Sequence, residues 1–298
     1  ETINGGDTVS VTGTIDTGTT NDEGGIETTG SNTITVSTDG IIKTGGTGAD
    51  GIWNQDDTNI TTMSGSITTL NTSSAGVHNE SNSNNTTVSG SITTSGRYGH
   101  GIANVGDTNT TTVSGSIATG TVSSNDVRDS YGIYNEGNNN TTTLSGDITT
   151  INWSGYGIYN KGNKNTTIMS GTFTASGERD SSNYGIYNRG DENITTMSGS
   201  ISTVGSSSYG IRNLGDTNTT TVSGSITTEG SSARGITNDG DSNTNTVSGS
   251  ITTSGKNGRG ITNFGNTNIN TVSGTITTSG ASGYGIYNDG VSNINTVS

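Results

Sequence analysis

Apolar residues are sparse in this chain, and they fall at fixed intervals. One unit reads Gly210-Ile211-Arg212-Asn213-Leu214-Gly215-Asp216-Thr217-Asn218-Thr219-Thr220-Thr221-Val222-Ser223-Gly224-Ser225-Ile226-Thr227-Thr228, and then it begins again. The Gly-Ile-x-Asn opening recurs at Gly51, Gly101, Gly132, Gly157, Gly185, Gly210, Gly235, Gly260 and Gly285, and Gly76-Val77-His78-Asn79 is a near copy. Openings lie 25 residues apart, apart from one step of 31 and one of 28. Period-two alternation predicts three short strands per unit. In the first, Ile211 and Asn213 face inward and Arg212 outward. In the second, Asn218, Thr220 and Val222 face inward. In the third, Gly224, Ile226 and Thr228 do. Thr, Ile and Val crowd the strands, while Gly and Asn interrupt every few residues, so a helix is excluded.

A fixed period of this length is the mark of a solenoid. One unit buries too few aliphatic side chains to offset the entropy of ordering its backbone, so each coil needs its neighbours. The expected fold is therefore all-β: a parallel β-helix of about twelve coils, 25 residues each, forming one continuous solenoid over residues 1–298. Residues 1–50 read as degenerate coils, with Val11 and Val36 already in register. Residues 51–298 read as regular repeats with insertions near 121–130 and 178–183. The handedness of parallel crossovers predicts a right-handed helix. Coils stacked about 4.8 Å apart would build a rod of roughly 55–60 Å. Gly-Asp/Asn and Ser-Gly pairs are the expected corners, with positive φ on Gly and Asn.

Composition changes this picture little. Only 24% of residues are hydrophobic and 49 are Gly, which without a period would read as disorder. The net charge of −14 argues against nucleic acid as a partner. No stretch is apolar enough to insert directly in a membrane. There is no Cys to form disulfides, and the absence of Pro suits backbone N–H groups committed to ladders.

Two columns of Asn are the most specific feature. One contains Asn104, Asn135, Asn160, Asn188, Asn213 and Asn238, and the other Asn109, Asn140, Asn165, Asn193, Asn218 and Asn243. Stacked inward amides can donate to one coil and accept from the other, which predicts structural ladders. Tyr134, Tyr159 and Tyr187 hold the outward position of successive strands, and Trp53 shares their column. With Tyr98 and Trp153 at the variable corner, they form a candidate contact surface for sugar rings or a partner rod. Cross-strand stacking that stiffens the sheet is the alternative. Asp191, Asp216 and Asp241 line up in successive turns and form the candidate metal site, with Ca²⁺ as the ion. Asn fills the same column elsewhere, which points instead to a turn-forming role, and no other cofactor is expected. The outward Ser225/Thr227, Ser250/Thr252 and Thr275/Thr277 rows are a candidate ice-binding face. His78 and His100 sit beside no acid and nucleophile pair, and acidic Asp126, Asp129, Glu178 and Asp180 lie in the insertions. The chain therefore reads as a non-enzyme with no catalytic residues.

Gly-Ile-Tyr-Asn followed by Asn-x-Thr-Thr-Val-Ser-Gly-Ser-Ile-Thr-Thr resembles the passenger repeats of bacterial autotransporter-type surface proteins. Similar β-helical repeats occur in filamentous haemagglutinin-like adhesins and phage fibres. The resemblance implies an extracellular or cell-surface location, associated with an outer membrane. It also implies a role in attachment or cell–cell contact, as filament, adhesin shaft or carbohydrate-binding adhesin. The chain opens on Glu1 and stops at Val297-Ser298 in mid-coil, which reads as a processed or excerpted chain. Self-association, end to end or side by side, and binding of surface glycans are the expected partnerships.

Overall fold

The computed structural model describes residues 2–120, 129–151, 154–176 and 182–298. Within them the chain forms 35 strands and no helix. The strands make three parallel sheets, two of 12 strands and one of 11, so eleven coils are complete and a twelfth supplies two strands. One coil contributes Tyr209–Asn213 to the first sheet, Thr219–Val222 to the second and Ser225–Glu229 to the third. Each strand pairs with its equivalents one coil before and one coil after. Register is like on like: Ile186 opposite Ile211, Thr195 opposite Thr220, Ile201 opposite Ile226. The solenoid expected from the 25-residue period is the observed fold, a β-solenoid of three strands per coil.

The core is one thin column. Ile211, Val222 and Ile226 are fully enclosed, one from each sheet, and their equivalents above and below extend the contact along the axis. Phe173 takes the third-sheet position between Ile148 and Ile201 without shifting the register. Inward polar residues share this interior, with Asn213, Asn218, Thr220 and Thr228 all inaccessible. The degenerate first coils join the same ladders, since Ile26 pairs with Ile52 and Val36 with Met63.

Both insertions fall where the third sheet hands over to the first, between Thr119 and Tyr131 and between Ser176 and Tyr184. The ladders run through unshifted, with Ile102 opposite Ile133 and Ile158 opposite Ile186. One corner therefore absorbs both insertions.

Gly supplies positive φ, as expected, at Gly6 and Gly30 in the first two coils and at Gly18, Gly48, Gly120, Gly205, Gly230 and Gly255 in the third-to-first corner, but from the third coil onward the first-to-second-sheet turns depart from that expectation. The left-handed residue in each of these later turns is the one before the second ladder Asn: Thr58, Ser83, Thr108, Asn139, Lys164, Glu192, Thr217, Ser242, Thr267 and Ser292, with φ from 55° to 63°. A non-Gly residue there costs about 1–2 kcal/mol. What holds it is the next coil: the Thr217 N–H donates to the Asp241 carbonyl at 3.0 Å. The motif glycines serve close approach instead. A Cβ on Gly224 would lie 1.9 Å from the Gly199 carbonyl oxygen, and one on Gly210 would lie 2.2 Å from Ile226 Cγ2.

Candidate functional site

The repeated turn is where the candidate residues concentrate, and its backbone donors can be followed one by one. The Leu214 N–H donates to the preceding coil's Asn188 carbonyl at 2.8 Å. The Asp216 N–H donates to Asp191 Oδ1 at 2.8 Å, also one coil back. Thr217 reverses direction toward the following coil, as does Asn218, whose N–H donates to Asn243 Oδ1 at 2.8 Å. A turn that would otherwise leave donors unpaired is satisfied by side chains from both neighbours.

This explains why the Asp column tolerates Asn. Asn82, Asp107, Asn138, Asn163, Asp191, Asp216, Asp241 and Asn266 each present Oδ1 to the N–H of the next coil at 2.6–2.9 Å. An amide oxygen does this as well as a carboxylate. Asp191, Asp216 and Asp241 therefore cap peptide groups, and among the described residues no group of three or more His, Cys, Asp or Glu comes together to hold a metal ion.

The two Asn columns differ. In the first, each Nδ2 donates along the axis to the next Oδ1: Asn135 to Asn160 at 2.7 Å, Asn160 to Asn188 at 2.7 Å, Asn188 to Asn213 at 2.8 Å. The second Nδ2 hydrogen crosses to the inward Thr of the adjoining strand, as from Asn188 to Thr195 Oγ1 at 3.1 Å. This is the expected side-chain ladder. In the second column the oxygen accepts a backbone N–H from the preceding coil, while Nδ2 turns back onto its own turn, as from Asn218 to the Gly215 carbonyl at 2.8 Å. Those residues clamp a turn to its neighbour rather than run amide to amide. A third row begins where Asn replaces the inward Thr: Asn245 donates to Asn270 at 2.7 Å and Asn270 to Asn295 at 2.8 Å. The sequence carried its signal, since these three Asn are 25 residues apart, each two before an inward Val.

The aromatic residues form a double file on the outer side of the first sheet. Sequence alternation singled out Tyr134, Tyr159 and Tyr187. Tyr131, Tyr156, Tyr184 and Tyr209, the residues before each Gly, run beside them. Gly132 and its equivalents face the core, where a Cβ would meet the third-sheet Ile or, at Gly157, Phe173, so the Tyr side chains on either side of each Gly-Ile pair reach the outside. The rings then cover one another. Tyr131 stacks on Tyr156 at 4.6 Å, Tyr159 on Tyr187 at 5.0 Å and Tyr184 on Tyr209 at 4.9 Å, with interplanar angles of 1–8°. Tyr159 keeps only 7% of its surface in solvent. Burial pushes the phenols of Tyr131, Tyr134, Tyr156, Tyr184 and Tyr187 above their ordinary range, so they remain neutral. Sugar binding needs a free ring face, and these faces are occupied by neighbouring rings, so the arrangement favours stiffening.

Cations close one end of the file. Arg212 donates from Nε to Asp239 at 2.6 Å and from Nη1 to the Tyr184 hydroxyl at 3.2 Å. Arg259 lies 3.7 Å from the Tyr287 ring centre. Lys161 pairs with Glu136, and this hydrogen bond is the chief cause that lowers the Glu136 carboxyl below its usual range. At the other end His100 stacks on Tyr131 at 4.8 Å. The residue keeps some surface in solvent, but enclosure of the ring, with His78 nearby, pushes its pKa down to about 4.

Trp53 and Tyr98 stand apart from this file. Trp53 stacks on His78 at 6.2 Å and donates to Glu80 at 2.8 Å. Tyr98 lies at the variable corner under Arg97, which donates to its hydroxyl at 2.8 Å. Trp153, Asp126, Glu178 and Asp180 lie outside the described residues. His78 pairs with Asp50 at 2.8 Å, and Asp50 also caps the Ala75 N–H, so this acid serves the backbone. A shallow open furrow follows the Ser-Gly-Ser corner, from Ser64–Ser66 to Ser114–Ser116 and again from Ser198 to Thr275. Its hydroxyls repeat from coil to coil, with no acid and base converging. Among the described residues no helix is long and apolar enough to cross a membrane, which says nothing of β-barrels.

No family model matches the chain, and no curated protein or solved structure matches it either.

Proposed function

We propose that this chain is a structural rod of an extracellular or cell-surface appendage, a filament or adhesin shaft serving attachment or cell–cell contact. The observation that carries the reading is the use of three long side-chain rows for axial cohesion. The Asn ladders, the Asp/Asn caps and the stacked Tyr file all bond one coil to the next. An element built this way resists being pulled along its axis, because extension must break whole coils in turn. Surface location and attachment rest on the resemblance of the repeats to autotransporter-type passengers.

The test uses source cells and an antibody to the purified rod. Labelling of intact cells, and reduced attachment or aggregation after deletion of the coding sequence, support the proposal. Antigen confined to the cytosolic fraction, or unchanged attachment in the deletion strain, refutes it. Pulling single molecules should give a series of small rupture steps, whereas one all-or-none event would argue against coil-by-coil cohesion.

A further inference from the structure

The outer face of the second sheet has taken no part in the architecture so far. Its outward positions come in pairs two residues apart, from Thr8/Ser10 through Thr110/Thr112, Thr141/Thr143, Thr219/Thr221 and Thr244/Thr246 to Ile294/Thr296. The occupants are Thr and Ile, with one Ser and one Asn, and none is charged. That is notable in a chain with 25 acidic and 11 basic residues. The first sheet's outer face holds Tyr and Arg. The third sheet's outer face, which the Ser/Thr rows in the sequence favoured as ice-binding, is interrupted by Asp16, Lys43 and Asp147.

The same face is also the most regular. Both insertions fall at the third-to-first corner. From Ile52 onward the turn before the second sheet and the Ser-Gly corner after it keep constant length. Hydroxyls therefore repeat at about 4.8 Å from coil to coil and about 6.7 Å along each strand. Both repeats lie near oxygen–oxygen repeats of hexagonal ice. The Thr side chains are stiff at χ1, and the inward Thr195 and Thr220 behind them are tied to the first Asn column. Threonine methyls and exposed Ile168, Ile194 and Ile269 place apolar ground between the hydroxyls, where water orders without strong competing bonds. Charges would impose hydration shells that break such a lattice, and this face has none.

We propose that the outer face of the second sheet binds crystalline water, adsorbing the rod to ice. The experiment holds a seed ice crystal in a solution of the purified chain and reads crystal shape and the gap between melting and growth temperatures. Faceted crystals and a measurable gap are expected. Thr221→Lys should remove most of the gap, and Thr227→Lys, the matching change on the third sheet, should leave it nearly intact. Circular dichroism checks that both variants stay folded. Crystals growing as freely as in buffer with folded wild-type protein would overturn the proposal, as would equal loss from the two variants. It would also fail if Thr221→Lys altered only self-association or adsorption to an insoluble neutral polysaccharide. None of these outcomes bears on the rod reading, which rests on other residues.

Discussion

Replacing Asn188 by Ala tests whether the amide ladder holds the coils together. Asn188 is fully enclosed; its Nδ2 donates to Thr195 Oγ1 at 3.1 Å and to Asn213 Oδ1 at 2.8 Å, and its Oδ1 accepts from Asn160 at 2.7 Å. Truncation leaves one hydrogen of Asn160, the Asn213 oxygen and the Thr195 hydroxyl without a partner. Each orphaned group costs about 1–3 kcal/mol, and partial relaxation sets the expected total at about 3–5 kcal/mol. A solenoid need not unfold in two states, so the assay is amide hydrogen exchange read segment by segment. Exchange should quicken by roughly 10²- to several thousand-fold in Tyr156–Asn160, Tyr184–Asn188 and Tyr209–Asn213. Exchange near Ile294–Val297 should be unchanged. Asn288→Ala is the control, because Asn288 is exposed and accepts one ladder bond from Asn263 at 2.7 Å. It should cost about 1 kcal/mol or less. An effect of Asn188→Ala below about tenfold, or no larger than that of Asn288→Ala, would refute the ladder's energetic role.

Three other outcomes follow from the same geometry. Gly224→Ala should destabilise by about 3 kcal/mol through collision with the adjacent coil, whereas Gly13→Ala, with nothing within 4 Å of its Cβ, should be neutral in thermal melts. Asp216→Asn should leave urea stability nearly unchanged, since an amide oxygen still caps Asp241 N–H; Asp216→Ala should cost about 1 kcal/mol, and equal losses would sink the capping account. His100 binds its proton only near pH 4 when folded but at its ordinary 6.5 when unfolded, so stability falls as pH drops through that window. His100→Phe should flatten that decline by roughly 1–3 kcal/mol, measured as the difference between denaturation at pH 7 and at pH 4.

The recurring Gly-Ile-x-Asn and the anchors Val222 and Ile226 were enough, by themselves, to determine three strands per coil, parallel stacking and the inward Asn and Thr rows. The reason is that a thin core admits one alternation, and a one-residue slip would turn Ile211 outward. The bonding partners of each row depended on tertiary geometry. Asn213 and Asn218 look alike in sequence. Yet one bonds amide to amide and the other clamps a turn, because the first lies in a strand and the second follows the left-handed Thr217. Likewise the step from Tyr156 to Tyr159 breaks simple alternation. Only the inward turn of Gly157, pressed against Phe173, brings both rings to one side and lets them cover each other. Alternation along a chain reports which way a side chain points, and stacking of separate coils decides what it meets.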